Sequence, residues 1–100
     1  MEIAVHTPHI DAADPSLAAE VEKDLQRFAE RLTRVEVFIK DTNAAKGGVD
    51  KHCVVEARPR GMDPIAVDHD AESIHDALRG ALKKAVHALE HRFGKHDERR

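Results

Sequence analysis

One stretch limits the fold more than any other. In residues 70–93, apolar side chains stand at Ile74, Ala77, Leu78, Ala81, Leu82, Ala85, Leu89 and Phe93. That is the i, i+3, i+4, i+7 spacing of a single helix face. So long a stripe has to be covered, and a sheet is the natural cover. Asp70 is placed to cap the start, with Glu72 and Asp76 in the first turns. Arg92 and Lys95 lie near the end, and Gly94 can stop the helix. Arg79, Lys83, Lys84, His87 and His91 fall outside the central stripe. One helix therefore offers an apolar face to a sheet and a basic flank to something else.

The rest of the chain supplies the sheet. Residues 2–7 read as a short strand, with Ile3 and Val5 on one side and Ala4 and His6 on the other. Asp14-Pro15-Ser16 is a helix start, and Leu17, Val21, Leu25, Phe28 and Leu32 continue as one stripe. The outer face of this first helix is acidic, with Glu20, Glu22, Asp24 and Glu30. Residues 34–41 alternate: Val35, Val37 and Ile39 face one way, Glu36, Phe38 and Lys40 the other. A loop over residues 42–48 bends at Gly47-Gly48. Residues 52–58 form a third strand, residues 59–63 a turn, and residues 64–68 a fourth strand with Ile65 and Val67 inward.

This order predicts an α+β domain with a two-layer β-α-β-β-β-α architecture. Its four-stranded sheet carries both helices on one face. The last three strands form an antiparallel meander. The first pairs in parallel through a right-handed crossover. Residues 1–94 make one domain and residues 95–100 a charged, flexible tail. The other sheet face, with Phe38, Val54, Lys40, Arg58, His52 and Glu56, is mixed. It is either a partly exposed sheet surface or a contact surface for a partner or a second copy.

Charge and composition narrow the function. The chain has a net charge of −3, which argues weakly against RNA binding. The distribution is uneven. Residues 1–32 hold seven acids and three bases; residues 71–100 hold five acids, seven bases and four of the eight histidines. No apolar run is long enough to span a bilayer and no signal-peptide pattern opens the chain, so a soluble, cytoplasmic protein is expected. The lone Cys53 excludes an internal disulfide and reads as a small buried hydrophobe.

The element order and several segments together resemble the ribosome hibernation factors. That family comprises hibernation-promoting factor and ribosome-associated inhibitor A, also called sigma-54 modulation proteins. The residues carrying the likeness are the run from Leu17 to Phe28, the strand Val35-Glu36-Val37-Phe38-Ile39-Lys40, and Val54-Val55-Glu56-Ala57. Asp70 followed by Asp76-Ala77-Leu78, then the basic continuation Leu82-Lys83-Lys84 to His91-Arg92, resembles that family's second helix. Glu72 and His75 stand where the family usually has an aromatic and an apolar residue.

The resemblance implies a short-form, non-catalytic factor. It would bind the small ribosomal subunit in the mRNA and tRNA channel and inhibit translation in dormancy or stress. Its partner would be 16S-type rRNA, with no DNA, membrane or cofactor. Arg79, Lys83, Lys84, His87, His91 and Arg92 are the implied phosphate contacts. Lys40, Lys46 and Lys51 come second, and Arg58 and Arg60 after them. The alternative is a protein-interaction module of the same fold that has lost ribosome binding.

Other chemistries have thinner support. His87 and His91 stand four apart on a helix, a spacing that can chelate a metal, and His6/His9 and His91/His96 are further pairs. No third ligand is fixed beside them, so no metal site is predicted. No phosphate loop or nucleophile elbow occurs. Ser16 and Ser73 sit at helix starts, where capping explains them, and Cys53 and His52 are strand neighbours on opposite faces. A double-stranded RNA-binding domain would need a lysine-rich start to the last helix, and here that start is acidic.

Overall fold

A computed structural model describes residues 1–7, 14–42 and 50–98. Its elements are β1 (Glu2–His6), α1 (Pro15–Leu25), a 3₁₀ helix (Gln26–Arg31), β2 (Leu32–Asp41), β3 (Lys51–Pro59), β4 (Ile65–Ala71) and α2 (Ile74–Glu98). The sheet order is β1-β2-β3-β4. β1 runs parallel to β2, and the other neighbours are antiparallel. This is the predicted two-layer α+β architecture.

The alternation of each strand explains the layering. Val35, Val37, Ile39, Cys53, Val55, Ala57 and Ile65 are buried on the helix side. They meet Leu17, Val21 and Leu25 of α1 and Ala77, Leu78, Ala81, Leu82, Ala85, Leu89 and Phe93 of α2. Small alanines along α2 let the helix lie close to the sheet. Phe28 and Phe93 pack with their rings tilted by 43° and centroids 5.7 Å apart, and close the core at one end.

Three boundaries differ from the sequence reading, each for a physical reason. The first stripe is not one α-helix. After Leu25 the chain tightens into the 3₁₀ helix, which seats Phe28 in the core, and Leu32 opens β2 instead. The second difference lies at the start of α2. Asp70 is not the helix cap, because β3 extends to Lys51 and offers pairing partners that draw β4 on to Ala71. Ser73 does the capping: its Oγ accepts from the Asp76 amide at 3.1 Å, and its carbonyl accepts from Ala77 at 3.0 Å.

The third difference is the end of α2. The helix passes through Gly94 to Glu98, so residues 95–98 are helical rather than tail. Arg31 holds this end, its two Nη atoms donating to Asp97 at 3.3 Å while its guanidinium lies 3.9 Å from the centre of the Phe93 ring.

The start of α1 follows the sequence reading. Asp14 accepts from the Ser16 amide at 2.9 Å, and that bond holds its carboxyl below the usual carboxylate range. Gly61, at φ +70°, makes the turn between β3 and β4. No helix among the described residues is long and apolar enough to cross a membrane.

Candidate nucleic-acid interface

The outer surface of α2 sorts its cations into tied and untied groups. Arg79 is tied toward α1: it lies 3.8 Å from Glu20 and 3.6 Å from Asp76. Lys84 is tied toward the sheet edge, its Nζ donating to the Asp68 carbonyl at 2.8 Å. Arg92 donates to the Asp63 carbonyl at 2.7 Å, in the turn before β4. Lys83, His87 and His91 are exposed, and none has an ion-pair or hydrogen-bond partner among the described residues. Lys95 joins them, one helical step of four beyond His91.

These four form an i, i+4 row along the helix, spanning about 18 Å at 1.5 Å per residue. Gly94 opens this row. Nothing lies within 4 Å of where its Cβ would stand, and a shallow hollow of about 340 Å³ is lined by Glu90, His91, Gly94 and Lys95. Sequence reasoning missed Lys95 because Gly94 read as a helix stop. The repeated spacing of four from Lys83 was the available signal.

The acidic face of α1 lies beside this basic flank and partly neutralises it. Glu20 takes Arg79, and burial together with the nearby Glu20 raises the Asp24 carboxyl. Arg27 of the 3₁₀ helix pairs with Glu90 of α2. Arg79 is thus compensated by carboxylates, whereas the row from Lys83 to Lys95 has no carboxylate partner among the described residues.

The second-rank cations lie elsewhere. Lys40 and Arg58 project from the open sheet face, opposite the helices. Arg58 bonds Glu56 at 2.7 Å, whereas Lys40 is exposed with no ion-pair partner among the described residues. Lys51 lies at the start of β3, 2.9 Å from Asp50 and 3.6 Å from Asp41. The Asp50 bond raises its ammonium above the usual lysine range. Arg60 donates to the Glu30 carbonyl at 3.0 Å, which pins the turn to the 3₁₀ helix. Lys46 lies outside the described residues. The fold thus does not gather all the predicted cations on one surface: the α2 row and the Lys40–Arg58 face point in opposite directions.

The open face is a charge network around one aromatic ring. Arg34 bonds both Glu2 and Glu36, and the Arg34 bond holds the Glu36 carboxyl below its usual range. His6 lies 3.2 Å from Glu36 and stacks on Phe38 at 4.7 Å. His52 bonds Asp70 at 2.5 Å and reaches Asp68 at 3.8 Å.

The remaining candidate chemistries meet different surroundings. Cys53 is wholly buried, and burial pushes its thiol up to about 12. Among the described residues, no cluster of three His, Cys, Asp or Glu side chains could hold a metal ion. His9 lies outside the described residues.

Comparison with known proteins adds two findings. The chain matches the family described as sigma 54 modulation protein / S30EA ribosomal protein over residues 3–100. No curated protein matches it. Among solved structures it is similar to a ribosomal subunit interface protein from Coxiella burnetii, at 16% identity and a TM-score of 0.70. That likeness covers 98% of this chain and 99% of the other. It is also similar to the N-terminal domain of Thermus thermophilus Protein Y, at 16% identity and a TM-score of 0.65, over 85% of this chain and 91% of that one. At such identities the structural likeness speaks for the fold.

Proposed function

Because the chain belongs to the sigma 54 modulation protein / S30EA ribosomal protein family, we propose that it is a non-catalytic, cytoplasmic ribosome-associated factor. It binds the small subunit through its rRNA and holds translation idle during dormancy or stress. The names of its structural neighbours, a ribosomal subunit interface protein and Protein Y, support this reading. The observation that carries it is the row Lys83, His87, His91 and Lys95, exposed along α2 and without a carboxylate partner among the described residues. Cations left unpaired within the protein are available to neutralise phosphates and release counterions. Arg79, Lys84 and Arg92 border the row and add to its field while their bonds orient α2.

The test is the salt dependence of binding to purified small subunits. About two to four phosphate contacts give a log–log slope of roughly −1.5 to −3. A Lys83→Glu/Lys95→Glu variant should bind weakly and lose most of that slope. Unchanged affinity in a folded double variant refutes the site.

A second reading has one observation in its favour. Arg58 and Lys51 are paired with carboxylates, Arg79 lies between two, and the chain is net acidic. A module of this fold that has lost ribosome binding and meets a protein through an apolar contact would bind with little salt dependence.

A further inference from the structure

α2 carries two glycines, and the fold explains only one of them. Gly80 faces β4, where a Cβ would run into the His69 ring. Gly94 has no such neighbour: nothing lies within 4 Å of where its Cβ would stand. It does not end the helix, which continues to Glu98. It does not need a left-handed backbone either, since Gly61 is the one glycine with positive φ among the described residues. Glycine weakens a helix more than any residue but proline. On internal grounds alone, a side chain at position 94 would serve this chain better.

The surroundings of Gly94 show what the gap admits. From Lys83 to Gly94 is eleven residues, close to three full turns, and from His87 seven, close to two. Gly94 thus stands on the same side of α2 as Lys83 and His87, in line with them along the axis. His91 and Lys95 flank it, both exposed, and line the hollow of about 340 Å³. The carboxylate that also lines the hollow, Glu90, is paired with Arg27. Asp97, three residues on, is held by both Nη atoms of Arg31 at 3.3 Å. The 3₁₀ helix thus neutralises both of these acids and leaves Lys95 uncompensated at the gap.

We propose that Gly94 is the point where an RNA sugar-phosphate strand comes closest to α2, with a phosphate seated in the hollow between His91 and Lys95. Lys95 supplies the charge and His91 a ring N–H. The bare backbone lets the strand descend between them. The inference rests on the ribosome-binding reading and deepens it. The row grips a strand by its backbone, at a contact that depends on a missing side chain rather than on a charge. No base takes part, so the contact carries no sequence preference.

Two uncharged substitutions, Gly94→Ala and Gly94→Leu, test this. Both fill open space on a helix, so each should raise the melting temperature by roughly 2–6 °C. Affinity for purified small subunits at low salt should nonetheless fall, about threefold for alanine and about tenfold for leucine. In the leucine variant the log–log salt slope should become shallower by roughly 0.7–0.9, the share of one phosphate. Lys83→Glu/Lys95→Glu, measured alongside, reports on the row itself. If Gly94→Leu binds like the wild type while that double variant is weakened, the inference falls and the ribosome-binding reading stands. If the melting temperature drops in both Gly94 variants, the glycine serves the fold and the inference falls again. If the wild type does not bind small subunits, the two fall together.

Discussion

Lys84 donates its ammonium to the backbone carbonyl of Asp68 across 2.8 Å, tying α2 to the edge strand β4. Its neighbour Lys83 is exposed with no partner among the described residues. Adjacent lysines thus have separable roles. Lys84→Ala should lower stability by a few tenths to about 1 kcal/mol, the net worth of one exposed hydrogen bond. Lys83→Glu should leave stability within about 0.5 kcal/mol of wild type and weaken ribosome binding. Urea denaturation and sedimentation with ribosomes, run on both variants, check the split.

Gly80 faces β4: a Cβ built there would run into the His69 ring. Alanine normally favours a helix over glycine by about 1 kcal/mol. Here the clash outweighs that gain, and Gly80→Ala should destabilise by about 1–3 kcal/mol. In a His69→Ala background the same change should be neutral or stabilising. Thermal melts of the four proteins in this cycle decide the matter.

Cys53 should behave as a core residue. Its thiol is raised to about 12 by burial, so thiol reagents should modify the native protein only through unfolding. The folded state keeps this proton at pH values where the unfolded chain, with a thiol near 8.5, has lost it. Stability should therefore fall as pH rises above about 9, by at most about 1.4 kcal/mol per pH unit from this group. Cys53→Ala removes that component, which urea titrations between neutral and alkaline pH will reveal.

The start of α2 gives a further test. Ser73→Ala removes the cap on the Asp76 amide and should cost about 1 kcal/mol. Asp70→Asn should leave the helix start intact, because Asp70 belongs to β4. Amide exchange over residues 74–78 distinguishes the two.

What was legible in the sequence was whatever periodicity encodes. Alternation at Val35, Val37 and Ile39 and the stripe from Ile74 to Phe93 fixed the layers and the open face. The intervals from Leu25 to Phe28 and on to Leu32 suit either an α or a 3₁₀ turn at first, so the break after Leu25 left no mark. Asp70 has the chemistry of a cap, and only its pairing with His52 removes it from that role. The site was harder to read because its cations are sorted by acceptors that the sequence pattern does not display. Lys84, Arg92 and Arg60 each donate to a backbone carbonyl distant in the chain. The basic flank was visible, but the part of it left for a partner was not.

The measurement that tests the central claim most directly is co-sedimentation of the purified chain with ribosomes and separated subunits through density gradients, at low and moderate salt. The account predicts recovery with the small subunit and the intact ribosome at low salt, reduced at moderate salt and lost in Lys83→Glu/Lys95→Glu. Absence from every ribosomal fraction at low salt would contradict it.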